Sequence, residues 1–511
     1  MNPTKTRDAA AGAVAAGLGL GASELLAGLV GSFPSLFEAL GVWVIDVSPT
    51  PLKNFAIEVF GTADKLVLLI SIAVVTLLIG AAVGIFARKR FWLAVIVFGG
   101  FGVVAAVAAA RDPQVSVGIA IIPGGAAALT GLGVLQWLYG LGRDTPADDE
   151  MGRSRRAFLV GTGAVLGAAA LSAGLGRVLI ERAKRAVAGR EEVALPSAVE
   201  PLSAVGPDQN FEIDGLEEIL VPNDDFYRID TALSVPRVNL QEWTLTVRGR
   251  VDNEYTIDFA DLLDMRMVER DVTLSCVSNQ VGGGLVGNAR WLGVPLSEIL
   301  DRARPADNAE QIVGRSVDDF TVGFPIEAAY DGREALVAVG MNGEPLPFEH
   351  GFPARLVVAG LYGYVSATKW LSEIELTGWE NFDAYWVPRG WSKEAPIKTQ
   401  SRIDTPGRAD QIPPGENVVA GVAWAPTRGI SKVEVQLGQG AEWVEAQLSE
   451  PLSINSWIQW MVPWNAEPGR QTLTVRATDG NGDLQDETPR PPAPDGATGW
   501  HSHSVFVNES A

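Results

Sequence analysis

The stretch Val272–Asn279 (VTLSCVSN) reads as a β-strand that runs into a turn, and it contains Cys276, the single cysteine of this 511-residue chain. A glycine-rich segment, Gly282–Gly287, follows it. A thiolate at the end of a strand can bind a soft metal or act as a nucleophile. The glycines would allow backbone N–H groups to approach an anion. The other interpretation of a lone cysteine is a small buried hydrophobic residue.

A second group of chemically useful residues lies further along the chain. The segments Met341–Arg355 (MNGEPLPFEHGFPAR) and Gly360–Leu371 (GLYGYVSATKWL) contain His350, Arg355 and Lys369 in an otherwise acidic region. Arginine offers a forked set of donors and lysine a compact charge, and both suit a phosphate. The spacing therefore favours an anion-binding site. A solvated surface patch is the alternative, and the apolar residues that flank the cations argue against full exposure.

Together these segments resemble the sulfite oxidase family of molybdenum-pterin enzymes, over residues 221–508. The resemblance depends on several motifs in combination, none of which is specific alone. These motifs are Phe226-Tyr227-Arg228, Thr273–Asn279 (TLSCVSN), Arg290–Leu296 (RWLGVPL), Met341–Pro347 (MNGEPLP), His350–Arg355 (HGFPAR) and Lys369-Trp370-Leu371.

The resemblance implies a cofactor and a role for the cysteine. In this family the motif cysteine ligates molybdenum, alongside the two dithiolene sulfurs of a molybdopterin, so Cys276 would be the metal ligand. The implied activity is a two-electron transfer of one oxygen atom to or from a small substrate. The pterin and its phosphate would be held by Phe226, Tyr227, Arg228, Asn279, Ser316, His350, Arg355, Ala367, Thr368 and Lys369.

Two departures from the family pattern bear on the substrate. Sulfite oxidases have an arginine shortly after the motif cysteine, where this chain has Gln280, and an active-site tyrosine, where this chain has Trp391. A doubly charged oxyanion needs paired cations, so sulfite itself is a doubtful substrate. Arg228 remains a candidate contact to substrate or cofactor, and Trp391 could form the wall of an apolar pocket. With Cys276, these two complete the predicted catalytic residues.

Residues 1–180 predict a membrane region fused to this enzyme. They contain five hydrophobic runs, each close to the ~20 residues that a spanning helix needs. Several such runs in series argue against the buried helices of a soluble core. The runs are Ala9–Gly31, Leu66–Ala87, Phe91–Ala110, Val115–Gly140 and Ala157–Ile180.

The distribution of Lys and Arg gives an expected orientation. Basic residues before the first run, between the second and third, and between the fourth and fifth share one side only if the N-terminus is cytoplasmic. The soluble domains of this multi-pass cell-membrane protein would then be extracytoplasmic, although further basic residues after Ile180 break the pattern. Ser154–Leu159 (SRRAFL) also resembles a twin-arginine export signal, whose pathway moves folded, cofactor-loaded proteins.

The same runs restrict the electron-transfer chemistry. None of them contains a histidine, which excludes a bis-histidine haem in the membrane, and one cysteine excludes c-type haem attachment and multi-cysteine zinc sites. With no haem predicted, electrons would pass to a separate electron-transfer protein or to a quinone.

Charge and turn patterns divide the rest of the chain. Residues 1–190 hold 17 Lys/Arg and 12 Asp/Glu, and the remainder holds 23 and 49. So acidic a body argues against nucleic-acid binding. We expect a linker at 181–210 and a mixed α+β molybdopterin-binding domain at 211–406. Short strands between Gly, Pro and Asn turns predict an immunoglobulin-like antiparallel β-sandwich at 407–511, resembling the family's dimerisation domain and allowing a homodimer.

Two other functions fit the sequence less well. One is a non-catalytic membrane receptor or adhesion protein with a β-sandwich ectodomain, in which Cys276 is merely buried. The other is a thiol enzyme with Cys276 as nucleophile, which needs a nearby base. The three histidines are the candidates for that base, and one of them belongs to the predicted phosphate cluster. They are His350, His501 and His503.

Overall fold

The structure is a computed structural model that describes residues 3–509, apart from 31–32, 50–51, 53–54, 56–58, 61–62, 112–114, 142–149 and 237. The chain divides into two compact units. The first comprises Met1–Ala188 with Ala232–Arg237, and the second comprises Gly189–Thr231 with Val238–Ala511. Each unit is described by itself.

The first unit is helical, as its composition predicts. Its main helices in the described residues are α1 (Pro3–Leu29), α2 (Leu36–Val47), α3 (Asp64–Ala87), α4 (Trp92–Ala109), α5 (Val117–Leu141) and α6 (Glu150–Ala188). Five of them are long and apolar enough to cross a membrane by length and composition, and they correspond to the five predicted runs. The additional helix, α2, is too short for this.

Helix α1 lies at the centre of the unit and packs against α3, α5 and α6. Glycines permit the closest approaches, since a Cβ atom at Gly80 would lie 2.6 Å from the carbonyl oxygen of Gly12. The central position also explains how α1 accommodates Glu24. That carboxylate is buried and accepts hydrogen bonds from the Ser35 hydroxyl at 2.8 and 2.9 Å. Polar groups in such bundles face inward and find partners there.

The second unit begins with two β-sheets and three short helices. Its first strands are β1 (Thr244–Gly249), β2 (Tyr255–Asp258), β3 (Val268–Ser275), β4 (Val286–Pro295), β5 (Gln311–Ser316), β6 (Thr321–Pro325), β7 (Ala335–Met341), β8 (Glu344–Pro345), β9 (Arg355–Val358) and β10 (Leu371–Thr377). The helices are α7 (Phe259–Leu263), α8 (Leu296–Ala303) and α9 (Gly363–Ser366). One sheet has the order β2-β1-β10-β5-β6, and the other has the order β3-β4-β7-β8, with β9 also paired to β7.

The C-terminal part of this unit contains two further sheets. Its strands are β11 (Gln400–Thr405), β12 (Gln411–Ile412), β13 (Gly415–Trp424), β14 (Ile430–Leu437), β15 (Trp443–Glu445), β16 (Gln447–Leu448), β17 (Ile458–Ala466), β18 (Gly469–Asp479) and β19 (His501–Val507). The sheet orders are β11-β13-β17-β16 and β12-β19-β18-β14-β15. Side chains from both sheets, including Val435, Trp460 and Leu473, share one hydrophobic core, as in sheet-on-sheet packing.

Local sequence signals locate most elements but misplace one helix. The sequence of Ile257–Met265 predicts a short helix, whereas Ile257 belongs to β2 and the helix begins at Phe259. Asp258 explains the change, because its side chain and that of Asp261 form a capping box at the start of α7. In the linker predicted at residues 181–210, residues 181–188 belong to α6. The segment that follows contacts the rest of the second unit, since the N–H of Val199 donates to the carbonyl of Met267 at 2.8 Å.

Candidate active site

Cys276 follows directly after β3 and is buried. Its N–H donates to the carbonyl of Leu285 at 2.9 Å, which ties the end of β3 to the start of β4. Burial raises the pKa of the Cys276 thiol, while hydrogen bonds from the backbone and side chain of Ser278 act in the opposite direction. A buried thiol with a raised pKa is a poor nucleophile by itself and needs a cation or metal to become a thiolate.

Residues 277–285, which we call the cysteine loop, connect β3 to β4. Asn279 shapes this loop, because its N–H donates to the carbonyl of Cys276 at 3.0 Å and its Oδ1 accepts from the N–H of Leu285 at 2.9 Å. The side-chain amide oxygen of Asn279 thus has a partner within the protein. Gln280, at the position of the expected arginine, is exposed. Gly282 has φ +75°, a left-handed conformation that glycine adopts without strain.

The predicted cations His350, Arg355 and Lys369 are buried and lie together. A Cβ atom at Gly351 would be 3.0 Å from Cβ of Lys369 and 3.2 Å from Cβ of Arg355. Nη1 of Arg355 donates to the carbonyl of His350 at 3.1 Å. The imidazole of His350 donates through Nε2 to the carbonyl of Asn223 at 3.0 Å. The structure therefore excludes the alternative of a solvated patch.

One carboxylate faces this cluster. Nζ of Lys369 lies 2.8 Å from Oδ2 of Asp230, which also accepts from Nε of Arg228 at 2.9 Å. Nζ of Lys369 donates as well to the carbonyl of Glu349 at 3.0 Å. Among the described residues, no carboxylate forms an ion pair with Arg355. Its guanidinium packs instead over the ring of Trp291, 5.0 Å from the centroid.

Burial is the main cause of the shifted pKa values of Arg355, Lys369 and His350. Burial lowers the pKa of Arg355 to about 10 and that of Lys369 to about 8. Burial also lowers the pKa of His350 to about 4, helped by the charges of Arg355, Lys369 and Arg228. Burying an unpaired cation is unfavourable. An anion bound beside Arg355 would offset this cost, so an anion-binding site remains the prediction for this cluster.

Phe226 and Tyr227 connect the cations to the cysteine. Their rings stack with centroids 5.1 Å apart, and Phe226 also meets the ring of His350 edge-on at 5.4 Å. Phe226 fits because position 287 is a glycine, where a Cβ atom would lie 2.7 Å from the aromatic ring. Burial raises the pKa of the Tyr227 hydroxyl, and the charges of Cys276 and Arg355 both act on it. Tyr227 therefore lies within electrostatic reach of both the thiol and the guanidinium.

Three smaller predicted contacts also lie close to this cluster. Ser316 ends β5 and is opposite Leu371 in the register of β10, two residues after Lys369. The hydroxyl of Thr368 is buried and donates to the carbonyl of Gly314 at 3.3 Å. Ala367 caps the C-terminal end of α9, and its N–H donates to the carbonyl of Gly363 at 2.9 Å.

Trp391 lies in a different aromatic group. Its ring is 5.8 Å from that of Tyr364 and 6.4 Å from that of Trp386. The hydroxyl of Tyr364 donates to the carbonyl of Ser392 at 2.5 Å, which fixes the segment that carries Trp391. This group is aromatic, and the role of Trp391 as the wall of a pocket stays a prediction.

Three contacts of the site were not found from the sequence. Asp230 and Asn223 contact Lys369 and His350, from which they are separated by 139 and 127 residues. Ser278 lies within the cysteine motif, and its contact with the thiol was not anticipated. Only the Phe226-Tyr227-Arg228 motif, which lies between Asn223 and Asp230, could have drawn attention to that segment.

The donor set fits a metal delivered with an anionic organic ligand. The described residues include no group of three or more His, Cys, Asp or Glu side chains that could hold a bare metal ion. The site instead offers one buried thiol and a separate group of buried cations, for which the ion pairs among the described residues supply one carboxylate, Asp230. A phosphate-bearing ligand would neutralise the cations, and the thiol would supply a soft donor to its metal.

Comparison with known proteins identifies a molybdopterin-binding oxidoreductase domain in this chain. The family described as "Oxidoreductase molybdopterin binding domain" matches residues 232–386. The more specific resemblance inferred from the motifs, to the sulfite oxidase family, is confirmed by the relatives described next. Molybdenum–molybdopterin is accordingly the cofactor indicated for this chain.

The relatives include sulfite oxidases of animals and plants. Mitochondrial sulfite oxidase of Rattus norvegicus is 26% identical over 323 residues, covering 54% of this chain and 59% of the rat protein. Sulfite oxidase of Arabidopsis thaliana is 26% identical over 349 residues, covering 57% of this chain and 87% of the plant protein. The chain thus spans about three fifths of the length of the mammalian relatives.

A solved structure supports the fold. The crystal structure of the sulfane dehydrogenase SoxCD from Paracoccus pantotrophus aligns with a TM-score of 0.51 at 21% identity. The alignment covers 63% of this chain and 92% of that one. The β-rich second unit therefore has the fold of a molybdopterin oxidoreductase.

Proposed function

We propose that this protein is a membrane-anchored molybdopterin oxidoreductase that transfers one oxygen atom, with two electrons, to or from a small substrate. The observation that carries the proposal is that one domain holds a buried thiol, Cys276, and the buried cations Arg355 and Lys369, for which the ion pairs of the described residues supply one carboxylate. When bound, the cofactor would supply a metal that changes oxidation state by two electrons.

The chain's own residues would bind and orient that cofactor. Cys276 would ligate the metal, and Arg355 and Lys369 would hold the phosphate. Arg228 is partly exposed, 38% for its side chain, and is the cation best placed to meet substrate as well as cofactor. His350 would stay neutral at pH 7 and use its ring as a contact for the pterin, together with Phe226.

The remaining predicted site residues have supporting or substrate roles. Thr368 and Ser316 would contact the pterin beside Lys369, with the backbone of Ala367. Asn279 would act mainly by shaping the cysteine loop, since its side-chain oxygen bonds within that loop. Trp391 would form an apolar wall for the substrate.

The substrate is proposed to be less highly charged than sulfite. Gln280 is neutral where a sulfite oxidase has arginine, and Trp391 adds an apolar surface in place of a tyrosine. A neutral oxide such as a sulfoxide, or the reduced compound formed from it, suits these residues better than a doubly charged oxyanion.

The helical unit supports a proposal for where in the cell the enzyme lies. Its five apolar helices would anchor the protein in the cell membrane as a multi-pass protein, and the distribution of basic residues would leave the enzyme on the extracytoplasmic side. A separate electron-transfer protein or a quinone would exchange the electrons. The sandwich-like C-terminal sheets, of proposed immunoglobulin-like type, would mediate a homodimer.

A combined assay tests the proposal. Purified full-length protein from a host that makes molybdopterin is analysed for molybdenum and pterin, and then screened with sulfite and with oxide substrates and an artificial electron carrier. We expect about one molybdenum per chain and turnover of an oxide couple in preference to sulfite. Protein without metal would instead favour the receptor alternative, in which Cys276 is only buried.

A further inference from the structure

The cysteine loop contacts two side chains from the C-terminal sheets. Nη1 of Arg402 donates to the carbonyl of Gly283 at 3.2 Å. The imidazole of His501 lies against Gly282, where a Cβ atom would approach the ring to 2.2 Å. Both contacts fall on the loop that follows Cys276, although Arg402 is 119 residues from Gly283 in sequence. The loop conformation is therefore not determined by local sequence alone.

The orientation of the Arg402 guanidinium is fixed by two carboxylates. Its Nε donates to Oδ1 of Asp404 at 2.5 Å, and its Nη2 donates to Oε2 of Glu217 at 3.0 Å. The side chain is buried, with 8% of its surface exposed. Guanidinium donors have a rigid planar arrangement. Once two of them are held by carboxylates, the third is fixed where it meets the Gly283 carbonyl.

The orientation of His501 is fixed in a similar way. Its Nδ1 accepts a hydrogen bond from the N–H of Ile403 at 3.0 Å, and Ile403 follows Arg402 in β11. One strand therefore determines both contacts. The ring fills the space where a side chain of residue 282 would stand, and the positive φ of Gly282 turns the loop around it.

Hydrogen bonds inside the loop connect these contacts to the cysteine. The N–H of Gly283 donates to the carbonyl of Gln280 at 2.8 Å, and the N–H of Asn279 donates to the carbonyl of Cys276 at 3.0 Å. Leu285 closes the loop by exchanging bonds with Asn279 and Cys276. A displacement at Gly283 is therefore transmitted through two consecutive turns to the residue that carries the thiol.

We propose that Arg402 and His501 are positioning residues that hold the cysteine loop in the conformation in which Cys276 can ligate the metal and Gln280 borders the substrate. This inference rests on the proposed function. Arg402 and His501 contact the cysteine loop, and their proposed effect on Cys276 passes through that loop. The C-terminal sheets thereby contribute to the active site of the same chain.

Hydrogen exchange of the cysteine loop in the full-length protein tests the contact with Arg402. In Arg402→Gln, amides of residues 279–285 should exchange on the order of tenfold faster than in the wild type, because the loop opens more often. Arg402→Lys should restore part of the protection. The control is Arg428→Gln, which removes another arginine of the C-terminal half whose bonds go to Asp479, Ile397 and Thr399.

A matched pair of substitutions tests His501. His501→Ala removes the ring and should speed exchange of the loop, whereas His501→Phe keeps a ring against Gly282 and should protect it. Phe506→Ala is the control, since Phe506 lies on the same strand, β19, with 45% of its surface exposed. This pair decides the question even if Arg402→Gln fails to fold.

Spectroscopy of the metal provides a second readout. The molybdenum content of the variants should match that of the controls. The electron paramagnetic resonance signal of the metal, after one-electron oxidation or reduction, should shift in the variants. The value of kcat/KM should fall on the order of tenfold. Loop exchange and a metal signal that equal those of Arg428→Gln and Phe506→Ala would overturn the inference. If the wild type binds no molybdenum, the proposed function fails, and loop exchange still decides whether these contacts position the loop.

Discussion

The Nζ atom of Lys369 lies 2.8 Å from Oδ2 of Asp230, a carboxylate that also accepts a hydrogen bond from Arg228. One negative charge is therefore shared between two cations, while Arg355 has no carboxylate of its own among the described residues. The cluster retains a net positive charge in a buried setting. We therefore expect the site to take an anion and to depend on the protonation of Lys369.

The first prediction concerns the pH dependence of cofactor binding. Burial lowers the pKa of Lys369 to about 8 in the cofactor-free protein, so its charge is present below that pH and lost above it. The affinity of the cofactor-free protein for molybdopterin should fall as the pH rises through about 8, by up to ~10-fold per pH unit. Lys369→Arg keeps its charge and should flatten the decline. Equal pH profiles for the two proteins would contradict a phosphate contact at Lys369.

A second prediction concerns stability in acid. Burial lowers the pKa of His350 from 6.5 to about 4 in the folded protein. Below pH 6.5 the unfolded chain binds a proton that the folded chain does not. The free energy of unfolding of the cofactor-free protein should therefore decrease from about pH 6.5 to about pH 4, by a few kcal/mol from this group. Urea denaturation of His350→Gln in detergent should show a shallower pH dependence, and an unchanged slope would argue against burial of a neutral imidazole.

A third prediction concerns packing of the helical unit. A Cβ atom at Gly80 would lie 2.6 Å from the Gly12 carbonyl oxygen, whereas one at Gly99 would have no neighbour within 4 Å. Gly80→Ala should destabilise the bundle by about 1–3 kcal/mol through overpacking, and Gly99→Ala should not. Thermal unfolding in detergent compares the two. Equal melting temperatures would mean that α1 and α3 do not approach as closely as described.

A fourth prediction concerns the side of the membrane on which the enzyme lies. Arg155 and Arg156 lie near the start of the long helix α6. If they belong to an export signal, Arg155→Lys with Arg156→Lys should leave the second unit on the cytoplasmic side. Protease added from outside to intact cells should then cleave the wild type but not the variant. Cleavage of both proteins would show that the arginines are ordinary positive-inside residues.

The sequence predicts the elements whose signals are local. The five long helices are predicted because each is a long run with few charges. The apolar run Leu356-Val357-Val358 likewise predicts a buried strand, and the structure has one at Arg355–Val358. The helix predicted at residues 257–265 begins two residues later, at Phe259, because Asp258 and Asp261 form a capping box there. Helix α2 was not predicted, since it is short and carries Glu38.

In the candidate site, too, local sequence motifs identify some residues, whereas others are recognised only from long-range contacts. Motifs identified Cys276 and Lys369, because their neighbours in sequence are characteristic of a family. Asp230 and Arg402 belong to the site through contacts with residues more than a hundred positions away. A single acidic or basic residue in a long chain carries no signal of such a partner, so only the fold reveals these contacts.

The proposed bond between the Cys276 sulfur and the metal underlies every other role assigned to the site. Molybdenum K-edge X-ray absorption of the purified protein counts the sulfur neighbours of the metal in the wild type and in Cys276→Ser. We expect about three sulfur neighbours in the wild type, two from the pterin and one from the cysteine, and about two in the variant, with loss of nearly all activity. The same sulfur count in both proteins, or unchanged turnover in Cys276→Ser, would contradict the assignment of Cys276 as the metal ligand.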